Sequence, residues 1–267
     1  MRVMQKRHKD RKRYFNEQVY TTKNYIIPYI EHFVSVSNKR VLEIGCGEGG
    51  NLLPFIERNC KVHGVDLAQD KISNGQEYLH EYISNKQCKL EAIDIFDTTI
   101  DTKFDIIFYR DVIEHIPDHK ALLQLSKKLL NSGGIILVIF PPWQNPFGGH
   151  QQMLQSKVLS KIPYIHLLPD TLYRNILEAN GERDVVIDEL IGLNKSKVTV
   201  ESFKKYSDSV GLNIKDLRLY FINPNYEVKF NLKPVIQSNT ISKIPILRNF
   251  LSTTCYSILT KNDREEY

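Results

Sequence analysis

The sequence predicts an α/β fold: a mostly parallel sheet with helices on both faces and a helical cap inserted after the fifth strand. Three observations carry this. Short apolar runs alternate with helical stretches between residues 40 and 140, the rhythm of βαβ units. The first run ends in a glycine-rich turn, VLEIGCGEGG (Val41–Gly50). After Phe140 the rhythm breaks for nearly sixty residues and resumes at Thr199.

Each element has its own signal. Asn16 to Phe33 has apolar residues at helical spacing (Val19, Ile26, Ile30, Phe33), with Pro28 inside, where it should break or kink the helix. RVLEIG (Arg40–Gly45) is a buried strand, and Leu52, Leu53 and Phe55 mark the helix after it. KVHGVD (Lys61–Asp66) is the second strand, followed by a helix from about Gln69 to Ile83. CKLEAIDIF (Cys88–Phe96) contains the third strand. FDIIFYR (Phe104–Arg110) is the fourth, an apolar run suited to burial on both faces. Asp118 caps a helix whose core face is Leu122, Leu125, Leu129 and Leu130, and Asn131-Ser132-Gly133-Gly134 stops it. GIILVIF (Gly134–Phe140) is the fifth strand. Beyond the break come a helix at Thr199–Val210, a strand near Leu217–Ile222 and a last strand near Thr253–Leu259.

Composition narrows the function classes. The chain has 267 residues, 42% hydrophobic and 25% charged, an ordinary soluble composition. No apolar run is long enough for a membrane span, and the basic start MRVMQKRHKDRKRYF lacks the apolar stretch of a signal peptide. Cys46, Cys60, Cys88 and Cys255 show no CxxC spacing. Free thiols in a reducing cytoplasm are expected. Residues 1–13 carry seven Lys/Arg and one Asp, against a net charge of +5 for the whole chain, so the rest is near neutral. A broad nucleic-acid-binding face would need basic residues spread over the fold, and none is expected. The arm reads as a solubilising terminus, with attraction to an anionic membrane or a phosphorylated acceptor as the sharper alternative. It precedes the first apolar helix, so its removal should leave the ligand site intact.

The glycine turn admits two ligands. Gly45, Gly47 and Gly50 spell G-x-G-x-x-G, a dinucleotide fingerprint; Gly45, Gly47 and Gly49 spell G-x-G-x-G, which suits S-adenosylmethionine (SAM). Both ligands use the close backbone approach of glycine and the N–H groups of a helix start. Asp66 ends the second strand, where a carboxylate accepts ribose hydroxyls, and this serves either ligand. Glu43 separates them. An acid beside the turn suits the α-ammonium of SAM, whereas it and Glu48 would repel a pyrophosphate. Asp94 ends the third strand and can accept from an adenine amino group, with Ile95 against the ring.

These motifs resemble the class I SAM-dependent methyltransferases. The resemblance is carried by VLEIGCGEG, the Asp of GVDLA, the Asp of AIDIF, FYRDVIEHI and LLNSGG. It covers Val41 to Phe140 and Thr199–Ile222. LLNSGG departs from the family's usual L-K-P-G-G turn at Asn131 and Ser132. The resemblance implies SAM as cofactor and a seven-stranded, mostly parallel sheet whose last strand is antiparallel. It also implies a cofactor site drawn from Glu43, Gly45, Cys46, Gly47, Asn51, Asp66, Leu67, Asp94, Ile95, Arg110, Asp111 and Val112. The implied organisation is a basic arm with N-terminal helices (1–35), a SAM-binding core (36–140), a cap (141–198) and the rest of the core sheet (199–267).

Asp111, Glu114, His115, Asp118 and His119 crowd into nine residues, as in a metal site. Pro117 breaks the helix that would bring His115 and His119 to one face, and no metal is assigned. In the resembled family this segment lines the cofactor pocket, which would turn Glu114-His115 toward the reaction centre.

The insertion after the fifth strand begins PPWQNPFGGHQQ. Loops of such length are functional or disordered, and this one is too apolar for disorder. Trp143, Phe147, Tyr164, Ile165, Leu167, Leu168 and Tyr173 need cover and would cap the carboxyl ends of the strands, where open α/β sheets bind ligands. His150 and His115 are the expected catalytic pair, His150 as base or orienting group for a hydroxyl acceptor. The reading is methyl transfer, most simply to oxygen, on a small-molecule, glycan or lipid-precursor acceptor. An NAD-dependent oxidoreductase and a non-catalytic SAM-fold binding protein are the alternatives. The N/D-P-P-Y/F motif of amino-methylating enzymes does not follow the fourth strand; RDVI stands there.

Overall fold

The computed structural model describes residues 10–97 and 100–262. One sheet has the strand order β3-β2-β1-β4-β5-β8-β6-β7. The strands are β1 Arg40–Ile44, β2 Lys61–Asp66, β3 Cys88–Ala92, β4 Phe104–Arg110, β5 Leu130–Phe140, β6 Leu212–Ile222, β7 Val235–Ile236 and β8 Thr254–Lys261. The pairs β1–β2, β1–β4, β2–β3 and β4–β5 are parallel. β8 is antiparallel to both β5 and β6. The expected antiparallel last strand is therefore present. The sheet has eight strands rather than seven, because the two-residue β7 adds to the edge of β6; both its residues are exposed, so no apolar alternation marked it in the sequence.

Alternation along the strands builds two cores. Val41 packs with Phe15, Ile26, Ile30, Leu52 and Phe55 on one face of the sheet. Leu42 and Ile44 pack with Ile107, Leu122, Val138 and Phe203 on the other. The N-terminal segment covers the first face. Its helix starts at Arg11, earlier than the apolar spacing indicated, with Asp10 as N-cap. It runs to Thr21, continues through a π-helical turn, Thr22–Ile26, and ends in Ile27–Ile30. The expected break at Pro28 does not occur. The wider π turn, with Ile27 N–H donating to Thr22 O, removes the i→i−4 geometry that a proline ring obstructs.

The insertion leaves the sheet at Phe140 and returns where Trp143 N–H donates to Val198 O (2.7 Å). Its two helices, Asp170–Ala179 and Asp184–Gly192, enclose a small core of their own from Leu154, Ile165, Tyr173, Leu177, Ile187 and Leu190. Tyr173 is buried, as expected, while Phe147 stays exposed. The chain then re-enters the sheet through the helix Val200–Ser209, which Thr199 and Ser202 start with a reciprocal capping box. Among the described residues no helix is long and apolar enough to cross a membrane. All four cysteines are free and buried. Most of the basic arm lies outside the described residues.

Candidate functional site

A cleft of about 710 Å³ opens at the carboxyl ends of the parallel strands, within the size range of small-ligand sites. Its floor is the turn after β1. Gly45, Gly47 and Gly49 all take positive φ (72°, 56° and 77°), a backbone that side chains resist. A Cβ on Gly45 would lie 2.4 Å from Val112 Cγ2. The turn is tied to β2 by Asp66, whose Oδ2 accepts from Gly47 N–H (2.8 Å) and whose Oδ1 accepts from Ala68 N–H (2.9 Å). Each carboxylate oxygen retains a further lone pair for a ligand hydroxyl. Asp94 bonds Phe96 N–H (2.9 Å) and sets the wall made by Ile95 and Phe96.

Of the expected cofactor contacts, Gly45, Gly47, Asp66, Leu67, Asp94, Ile95, Arg110, Asp111 and Val112 line this cleft, and so does His115. Glu43, Cys46 and Asn51 do not line it. Glu43 lies on the Val41 face of β1, toward the N-terminal helix, and is fully buried. It accepts from Asn51 Nδ2 (2.6 Å), and burial holds its carboxyl well above the usual range despite that bond. Asn51 Oδ1 accepts from Thr22 Oγ1 (2.8 Å) and Arg110 Nη1 (3.3 Å), so its groups are spent in a buried network behind the loop. Cys46 is buried against Gly64, where a Cβ would meet its sulfur at 2.8 Å. The acid beside the turn is thus a support for it.

The N-terminal helix supplies residues that the sequence did not reveal. Arg11, Tyr14 and Gln18 line the cleft, and Arg11 pairs with Glu48, which is fully buried. The helix thus begins inside the expected arm of residues 1–13, and removing that arm would take part of the site with it. No local motif flags this, because the contact joins Arg11 to the glycine turn far along the chain. Lys71, Ile93, Phe96, Ile116 and Pro117 are further lining residues outside the sequence-derived set.

Beyond Val112 the chain turns through Ile113–His115. Asp111 holds a positive φ of 56°, unusual for a residue other than glycine and typical of functional sites. His119 does not join His115: its ring bonds Ser196 O (3.1 Å) and stacks on Tyr206, as the break at Pro117 implies. His150 joins instead, with ring centroids 4.9 Å apart. The glycines before it explain how. A Cβ on Gly148 would lie 2.3 Å from Trp143 O, and one on Gly149 would lie 2.1 Å from His166 Cβ. That close packing turns the chain into the left-handed conformation of His150 (φ 53°). Gln151, fully buried, donates to Pro146 O and Ile162 O and locks the turn. Burial pushes the His150 imidazole down to about 4, with His115 adding to the effect; burial also lowers His115. Both are neutral near pH 7.

The family model described as "Methyltransferase domain" matches residues 42–136. These residues hold the glycine turn, Asp66, Asp94 and the β4 end, which form most of the cleft. Residues 42–136 are thus similar to a methyltransferase domain. A ubiquinone biosynthesis O-methyltransferase of Idiomarina loihiensis is 34% identical over 108 residues, 39% of this chain and 43% of that protein. The match thus spans less than half the length of that relative. Among solved structures, a SAM-dependent methyltransferase from Clostridium acetobutylicum aligns with TM-score 0.56 at 13% identity, covering 91% of this chain and 92% of that one. PKMT2 of Rickettsia typhi, in complex with AdoHcy, aligns with TM-score 0.55 at 22% identity, covering 91% and 54%. At these identities the structural matches establish the fold of the methyltransferase domain. They cover far more of the chain than the family model does.

Proposed function

We propose that the chain is a SAM-dependent methyltransferase acting on a hydroxyl of a small-molecule, glycan or lipid-precursor acceptor, in the reducing cytoplasm that its free cysteines suit. The observation that carries this is the cleft itself. The glycine turn, Asp66 and Asp94 line it together with His115, whose ring meets that of His150. Asp66 accepts the ribose hydroxyls, Asp94 and the Ile95–Phe96 wall take the adenine, and the turn faces the amino-acid part. That leaves the sulfonium pointing toward the end where His115 and His150 meet. The acceptor oxygen attacks the methyl carbon as the carbon–sulfur bond breaks, giving a methyl ether, S-adenosylhomocysteine and the hydroxyl's proton. Alignment is the main contribution of the protein. His150, neutral and aimed by Gly148 and Gly149, accepts a hydrogen bond from the hydroxyl and then its proton. The cap, 141–198, chooses the acceptor and excludes water, while 36–140 and 199–267 hold the cofactor. An oxygen acceptor agrees with the name of the Idiomarina relative.

The test is incubation of the purified chain with SAM and a panel of phenolic, glycosidic and lipid-precursor alcohols, read by mass spectrometry. The expected result is a product heavier by one methylene unit, formed with S-adenosylhomocysteine. Methylation confined to amines or carbon would overturn the oxygen assignment.

A further inference from the structure

Glu114, His115 and His150 form a set that methyl transfer as described does not use together. One ligand atom from each lies within 4.8 Å of the other two. The set is built from two elements, the turn after β4 and the loop after β5. Glu114 is 8% exposed, and neither of its carboxylate oxygens has a hydrogen-bond partner among the described residues. Its backbone is held firmly, because Ser196 Oγ donates to Glu114 O (2.6 Å). A buried carboxylate with no partner is costly. It must keep its proton or meet a cation. The Arg110 guanidinium, on the same segment, is already engaged by Asp111 and Asn51. Asp111 adds a second negative charge that acts on all three members.

We propose that Glu114, His115 and His150 bind a divalent first-row transition-metal ion at the inner end of the cofactor cleft. Two imidazoles and one carboxylate are a donor set for Zn²⁺, Mn²⁺ or Fe²⁺ and not for the all-oxygen sites of Mg²⁺ or Ca²⁺. Metal–ligand bonds of about 2.0–2.2 Å place ligand atoms roughly 3–3.5 Å apart. The cluster therefore needs to contract by about an ångström, which side-chain rotation supplies; the ring of His115 is open to the cleft. Three protein ligands leave positions free on the cleft side. There an acceptor oxygen becomes a further ligand, which holds it and acidifies its hydroxyl. This rests on the methyl-transfer reading and narrows it: the acceptor is an oxygen ligand, and His150 serves as a metal ligand in place of a free base.

The test uses the full chain without a histidine tag, stripped with chelator and titrated with Co²⁺, whose visible absorption reports imidazole and carboxylate ligation, then with Zn²⁺ by competition. One ion per chain is expected. The isosteric Glu114→Gln and, separately, His150→Ala should each weaken binding at least about 100-fold, since loss of even an outer partner costs ten- to a hundredfold. His80→Ala, an exposed imidazole elsewhere, should leave it unchanged. X-ray absorption on the wild-type complex should count two imidazole nitrogens and needs no variant to fold. Uptake no tighter than about 10 μM, uptake that survives both substitutions, or fewer than two imidazoles would overturn the proposal. SAM calorimetry on the same metal-free sample keeps the two claims apart. SAM binding without an ion site removes the metal alone, and no SAM binding removes the methyl-transfer reading, whatever the ion does.

Discussion

Replacing Asp66 with alanine should weaken SAM binding far more than it destabilises the fold. The carboxylate accepts two backbone bonds, from Gly47 N–H at 2.8 Å and Ala68 N–H at 2.9 Å. Bonds to a charged acceptor are worth about 1.5–3 kcal/mol each. The site is only partly buried, so water replaces much of this in the mutant, and a stability loss of about 1–3 kcal/mol is expected. Binding loses more. The ribose hydroxyls lose the acceptor for their own two bonds, and Gly47, held at positive φ, loses its anchor. A net deficit of about 3 kcal/mol raises Kd roughly 100-fold, at 1.4 kcal/mol per factor of ten. Urea unfolding gives the first quantity and calorimetry with SAM the second. Asp66→Asn, which keeps the shape, serves where alanine does not fold. A folded variant that binds SAM within threefold of the wild type would refute the assignment of Asp66 to the ribose.

Arg11→Ala should cost about 2 kcal/mol and weaken SAM roughly tenfold, because it leaves Glu48 buried without its cation; equal SAM affinity by calorimetry would return Arg11 to the solubilising arm. Gly149→Ala should cost about 1–3 kcal/mol by overpacking against His166 and lower turnover at least tenfold by displacing His150, with SAM affinity within twofold; unchanged turnover would separate His150 from the reaction. Glu201 tests the electrostatics of the contact between the helix Val200–Ser209 and residues 246–249. Burial opposes its ionisation, but bonds from Ile246 N–H, Asn249 and Arg248 hold its carboxyl down to about 2. A folded-state value below the ordinary 4.5 means that its contribution is present above about pH 4.5 and lost as pH falls toward 2. Its side chain is a third exposed, so Glu201→Gln should cost only about 1–2 kcal/mol at neutral pH. Acid-unfolding curves for wild type and variant should converge near pH 2, and a constant gap would contradict the assignment.

Much of this molecule was legible because local chemistry repeats its global arrangement. KVHGVD and FDIIFYR are strands with the same limits in sequence and structure; the second is an apolar run suited to burial on both faces. Gly45, Gly47 and Gly49 carry the positive φ that their spacing implied. What the sequence did not show comes from contacts that no short window contains. Glu43 faces inward because strand alternation assigns it to the N-terminal helix, and Asn51 follows it there. Arg11 belongs to the cleft through a pairing across the fold. Pro28 marks a break in any sequence rule, yet a π turn absorbs it. His115 and His119 are apart, as the break at Pro117 implied, and His115 meets His150, the histidine the sequence paired with it. Only the close packing of Gly149 on His166 reveals why.

The central claim is that the glycine turn with Asp66 and Asp94 forms a SAM site. Isothermal calorimetry of the purified chain with SAM, S-adenosylhomocysteine and NAD, each in turn, tests it most directly. The account predicts one SAM and one S-adenosylhomocysteine per chain at roughly micromolar Kd, near −8 kcal/mol, and no heat from NAD. Tight NAD binding with no response to SAM would contradict it.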